Sequence, residues 1–174
     1  FYQFDTDYDT VYEGIDLNHV KDLDDNTYQP RGGTALYPSF GKTIEDIGKK
    51  LTTMSEDEKP ERILFVTITD GEHNSSISKV NGETVNYETF HEFTSKEVKS
   101  MVEHQTQIYK WDFAYIGANQ DAWAVGSSMG VCNNLNYVAS AKGTRAMFDS
   151  LSKSTSVYRA SSKKKSFTFT EEES

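Results

Sequence analysis

Residues 62–74 read Arg62-Ile63-Leu64-Phe65-Val66-Thr67-Ile68-Thr69-Asp70-Gly71-Glu72-His73-Asn74, a nearly unbroken apolar and β-branched run that stops at a carboxylate. A short run of this kind reads as a strand buried on both faces, as in parallel sheets covered by helices. A carboxylate where such a strand stops lies at the carboxyl edge of the sheet, where open α/β sheets keep their ligands. The plainer reading is a strand followed by a polar Asp-Gly turn. A second stretch, Arg31-Gly32-Gly33-Thr34-Ala35-Leu36, favours the first reading, because it would bring a hydroxyl to the same edge.

The rest of the chain alternates around that run. Residues 1–4 and 11–12 flank Asp5-Thr6-Asp7-Tyr8-Asp9, which reads as a hairpin. Residues 16–30 form an acidic link. Phe40, Ile44, Ile47 and Leu51 recur at helical spacing over 37–51. Residues 75–89 are polar, with Asn81-Gly82 as a turn signal. Phe90, Phe93, Val98, Met101 and Val102 predict a helix through about 105, and 111–118 the next strand. Asp121 is placed to cap a helix carrying Trp123, Val125 and Met129 and closed by Gly130. A short strand is predicted over 137–139, then a helix over 143–159 with Met147, Phe148, Leu151 and Val157 facing inward. The fold class that follows is α/β, a three-layer Rossmann-like, mostly parallel sheet flanked by helices. Residues 1–160 are read as one domain. Residues 161–174, with Lys163-Lys164-Lys165 before Glu171-Glu172-Glu173, are read as a charged flexible tail.

Composition narrows the partners. Net charge is −9, which argues against nucleic acid or an anionic membrane as the main partner. No apolar run reaches the ~18 residues of a membrane span, and no signal peptide opens the chain. Cys132 is the only cysteine, so an internal disulfide and a cysteine-based zinc cluster are excluded, which fits a cytoplasmic setting. The thiol has no evident base beside it and reads as a packed small residue. Asn74-Ser75-Ser76 matches a glycosylation sequon, for which chance is the better explanation. His19, His73, His91 and His104 share no ligand spacing and read as surface residues, His73 being the one near the Asp-Gly turn.

The candidate chemistry is that of hard oxygen ligands. Thr34, Asp70 and Glu72 come without sulfur or paired imidazoles, which selects Mg²⁺, Mn²⁺ or Ca²⁺ over zinc. A hydroxyl and one carboxylate leave a divalent ion electron-poor and receptive to a partner's carboxylate. The Asp-x-Asp-x-Asp stretch invites two sharper readings. A calcium loop wants Gly and Glu where this chain has Thr10 and Asp16, and a phosphohydrolase would use Asp5 as nucleophile. A polar hairpin turn is more ordinary.

Gly32-Gly33-Thr34-Ala35-Leu36, followed after one helix by Ile63-Leu64-Phe65-Val66-Thr67-Ile68-Thr69-Asp70-Gly71-Glu72, resembles the von Willebrand factor type A (vWA) domain. Trp111-Asp112-Phe113-Ala114-Tyr115-Ile116-Gly117-Ala118-Asn119-Gln120-Asp121 resembles a bacterial and phage branch of that family. The resemblance implies a metal-ion-dependent adhesion site that takes Mg²⁺ or Mn²⁺, with Thr34 and Asp70 as metal residues. Gly33, Gly71, Glu72 and His73 fall at its periphery. The implied function is non-enzymatic: gripping an acidic residue of another protein through the cation. The family's first motif, Asp-x-Ser-x-Ser, supplies the main ligands and is not found here. Asn74-x-Ser76-x-Ser78 has its spacing but follows the wrong strand and begins with Asn. With the chain opening mid-strand at Phe1, the vWA-like domain is read as amino-terminally incomplete. The alternatives are a metal-dependent phosphohydrolase using Asp5 and Asp70, and a metal-free scaffold in a phage or bacterial assembly.

Overall fold

A computed structural model describes residues 1–119, 121–162 and 165–170. Gln120, Lys163, Lys164 and residues 171–174 lie outside the described residues, and with them most of the charged stretch read as a tail. The chain is α/β, and the described residues form one mixed and one parallel sheet and four α-helices. Its contacts divide it into two compact units, Phe1–Lys50 with Glu72–Thr94, and Leu51–Gly71 with Ser95–Ser174. Among the described residues no helix is long and apolar enough to cross a membrane.

The first unit is built on β1 (Tyr2–Phe4) and β2 (Asp7–Thr10), an antiparallel hairpin in register Phe4 to Tyr8. The second strand begins earlier than the residue types suggest, because Asp5 and Thr6 alone make the turn. Asp5 closes it, its Oδ1 accepting the Asp7 N–H at 2.7 Å. β2 pairs in parallel with β4 (Lys79–Val80), which turns through Asn81-Gly82 into β5 (Glu83–Thr84). Both turn residues have positive φ, 50° and 83°, the backbone that a tight hairpin turn demands and that Asn-Gly tolerates. The stretch 75–89, read as a polar excursion, thus adds a small hairpin to the sheet and also buries Ile77. With Tyr8 and Ala35, Ile77 centres a core completed by Tyr2, Phe4, Val80, Val85 and Phe90. Helix α1 (Leu36–Thr53) buries Leu36, Phe40 and Ile44 at the expected spacing. Thr43 on this helix meets the buried Tyr8 hydroxyl at 2.9 Å.

In the second unit β3 (Leu64–Thr69), β6 (Asp112–Ala118) and β7 (Asn133–Tyr137) form a parallel sheet in the order β3-β6-β7. Residues 113–118 of β6 are all buried, as a central strand covered on both faces requires. Helix α4 (Ala141–Ala160) packs Leu151 and Tyr158 over Leu64, Val66 and Ala114. Neighbouring residues in a strand face opposite ways. The opposite face accordingly carries Phe65 and Phe113, whose rings lie 5.4 Å apart.

Further details differ from the sequence reading, first that β3, expected to be buried on both faces, is only half-buried at Leu64, Phe65, Val66 and Ile68. Helix α2 (Ser95–Tyr109) starts after Phe90 and Phe93, which pack from the preceding loop; Thr94 and Glu97 have the spacing of a capping box. β7 lies at 133–137, not 137–139, because it follows β6 in register from Ala114 to Asn133. Phe148 and Val157, predicted to face inward, are about half exposed at 50% and 44%. Cys132, read as packed, is exposed.

Within residues 165–170, Phe167 is buried against Tyr158, and its N–H donates to Asp112 Oδ1 at 3.0 Å. Tyr158 donates its hydroxyl to the other oxygen of Asp112 at 2.6 Å. Burial, and then that hydrogen bond, push the Tyr158 phenol up to about 12 from 10.0. A phenol raised in the folded state stabilises fully below its unfolded value near pH 10 and loses that contribution as pH climbs through 12. Urea unfolding should therefore show stability falling between pH 10 and 12, and a shallower fall in Tyr158→Phe. An equally steep fall in the variant would remove Tyr158 from the account.

Candidate functional site

Thr34 sits in the first unit, one residue before the buried Ala35 that leads into α1. Its backbone is held twice by Asn74: the Thr34 N–H donates to Asn74 Oδ1 at 2.7 Å, and the Asn74 N–H donates to the Thr34 carbonyl at 3.0 Å. Gly33 permits this approach, since a Cβ there would lie 2.8 Å from Asn74 Oδ1 and 2.7 Å from Ser75 Oγ. Thr34 itself is half-buried. Glu72 and His73 are exposed in the same unit, and the His73 ring rests 4.5 Å from that of Tyr37.

Asp70 belongs to the second unit, directly after β3. The Gly71 N–H donates to the Thr69 hydroxyl at 3.2 Å, which tightens the turn and leaves Asp70 exposed at its tip. The same carboxyl edge holds Asn119, at the end of β6 with φ 52°. Its N–H donates to the Tyr137 carbonyl and its Oδ1 accepts from Ala139, each at 3.0 Å, so this side chain ties β6 to the exit of β7. Asp121 caps helix α3 (Ala122–Ser128), accepting from the Ala124 N–H at 3.0 Å; Gly130, with φ 76°, follows the helix as expected. Asn119 and Asp121 are thereby employed in structure, and Asp70 is an exposed carboxylate at the end of β3.

Each taken by itself, the Thr34 hydroxyl and the Asp70 carboxylate are hard oxygen donors of the kind that Mg²⁺ or Mn²⁺ takes. Among the described residues no group of three or more His, Cys, Asp or Glu is arranged to hold a metal. Mg²⁺ typically keeps several waters beside one or two carboxylates, so a sparse protein donor set is compatible with it.

The Asp-x-Asp-x-Asp stretch is engaged by a single arginine. Arg31 Nε donates to Asp5 Oδ2 at 2.6 Å and Arg31 Nη2 to Asp9 Oδ2 at 2.7 Å, while Nη1 stands 3.9 Å from Asp7 Oδ2. The Asp9 bond leads the causes that raise the guanidinium pKa. Neither Arg31 nor Asn74 was singled out as a site residue in the sequence. Acids at alternate positions, opposite an arginine that precedes Gly-Gly, are the signal that was there to be read.

No family model, no curated protein and no solved structure matches this chain.

Proposed function

We propose that the chain is a vWA-type binding module that grips an acidic residue of a partner protein through Mg²⁺ or Mn²⁺. The observation that carries this reading is Asp70, an exposed carboxylate at the carboxyl end of a parallel strand, where α/β sheets bind ligands. Thr34 enters as the second metal residue through the resemblance alone. Water and the partner's carboxylate would supply the remaining ligands of the ion.

The phosphohydrolase alternative is weaker on a specific ground. A nucleophilic Asp5 needs a free oxygen, yet Asp5 is 6% exposed, with one oxygen on Arg31 and the other on the Asp7 N–H.

Calorimetric titration of Mg²⁺ and Mn²⁺ into the protein, with Asp70→Ala and Thr34→Ala alongside, tests the proposal. Heat in the parent that disappears in both variants supports it. Absence of heat in the parent sinks the cation and leaves the metal-free scaffold as the better description.

A further inference from the structure

The Asp-x-Asp-x-Asp stretch and the Gly-Gly-Thr loop meet at one side chain, Arg31. In β2 the two-residue period sets Asp7 and Asp9 on one face and turns Tyr8, 1% exposed, into the core on the other. Asp5 joins the acidic face from the turn. Its carboxylate is buried, and a buried charge that loses its partner is costly. Arg31 is that partner, and its planar fork reaches Asp5 and Asp9 together through Nε and Nη2. A lysine would present a single point charge there.

The position of Arg31 in the chain gives the pairing its meaning. The next residues are Gly32, Gly33 and Thr34, and two glycines leave a backbone with few restraints of its own. That short span is pinned at both ends within the first unit. Arg31 fastens one end to the β1–β2 hairpin. Asn74 holds Thr34, and the Ala35 N–H donates to the Asp5 carbonyl at 2.9 Å. Just upstream, the Gln3 side chain donates to the Gln29 carbonyl at 2.6 Å. Residues 13–26, by contrast, are exposed throughout and include Lys21.

We propose that Arg31 is a positioning residue: clamped by Asp5 and Asp9, it latches the Gly32-Gly33-Thr34 loop to the hairpin and fixes how the Thr34 hydroxyl is presented. The acidic triplet is then the catch of the latch. The latch stands independently of any ligand; only its consequence for cation binding rests on the reading of Thr34 as a metal residue.

Limited trypsin digestion reads the latch directly, because the protease must take the Arg31 side chain into its own acidic pocket to cut before Gly32. Cleavage after Lys21, in the exposed segment of the same unit, serves as the internal reference. The ratio of cleavage at Arg31 to cleavage at Lys21 should rise roughly tenfold in Asp9→Asn, as expected for loss of a charge-assisted hydrogen bond that controls local opening. Asp9→Glu, which keeps the charge, should return the ratio toward the parent value. Asp5→Asn should act in the same direction, but Asp5 is buried, so the Asp9 pair decides. An unchanged ratio in Asp9→Asn overturns the latch.

Mn²⁺ calorimetry on the same variants then separates the two claims. Where the parent binds Mn²⁺, severalfold weaker binding in Asp9→Asn supports positioning of Thr34, and full affinity with a freed loop overturns that positioning. Where the parent shows no heat, the cation reading falls and the cleavage ratio alone decides the latch.

Discussion

Alanine at position 126 should destabilise the protein by about 2 kcal/mol, although alanine is the better helix former. Gly126 is buried in α3, and a Cβ there would stand 1.7 Å from Asn134 Oδ1 and 2.6 Å from its Cγ. Asn134 has little room to yield. It is 5% exposed, and its Nδ2 donates to the Val131 carbonyl at 2.9 Å. Overpacking of this kind costs about 3 kcal/mol, against a helix-propensity gain of about 1 kcal/mol. Gly48 in α1 supplies the control, since a Cβ there meets nothing within 4 Å. Gly48→Ala should therefore stabilise by about 1 kcal/mol. Urea unfolding of both variants makes the comparison. If the two move stability in the same direction, contact between α3 and β7 does not govern position 126.

Removing the Arg62 side chain should cost roughly 3 kcal/mol, from lost charge-assisted hydrogen bonds and a lost stacking contact. Its guanidinium carbon lies 3.4 Å from the Tyr158 ring centroid. Nη1 donates to the carbonyls of Tyr158 at 2.6 Å and Ser161 at 3.3 Å, and Nη2 donates to that of Lys165. One planar group thus closes the end of α4 and holds the start of the segment that buries Phe167. Arg62→Ala should lower the unfolding midpoint and speed amide exchange over 165–170 more than over β6. Arg62→Lys should recover only part of the loss, since an ammonium neither stacks as a plane nor donates in a fixed fork. Uniform exchange changes across the second unit would show that the arginine does not act locally.

Much of this arrangement could be read from local pattern. The apolar run gave away β3 and the position of Asp70, period 3.6 gave away α1, and Asp121 with Gly130 bracketed α3. What escaped was non-local. Arg31 finds Asp5 and Asp9 across 26 and 22 residues, and no local spacing announces such a meeting. Phe90 and Phe93 carried the helix prediction too far upstream because burial in a loop and burial on a helix look alike in sequence. Thr34 and Asp70 stand out in the sequence as residue types, a hydroxyl after Gly-Gly and a carboxylate closing the apolar run. The fastening of Thr34 by Asn74, forty residues away, does not.

β7 was missed for an instructive reason: Asn133-Asn134-Leu135-Asn136-Tyr137 has hardly any apolar signature. Its asparagines do another task. Asn133 donates to the Phe113 carbonyl at 3.1 Å, Asn134 to that of Val131, and Asn136 accepts from the Ala122 N–H at 2.8 Å. An oily strand can slide by two residues and still keep its greasy side inward. A strand whose carboxamides require named backbone groups on other elements cannot, because one slip would strand Asn133 and Asn136, while the local Asn134 bond to Val131 would travel with the strand. β7 therefore contributes an address rather than adhesive strength, and it trades stickiness for a single permitted alignment.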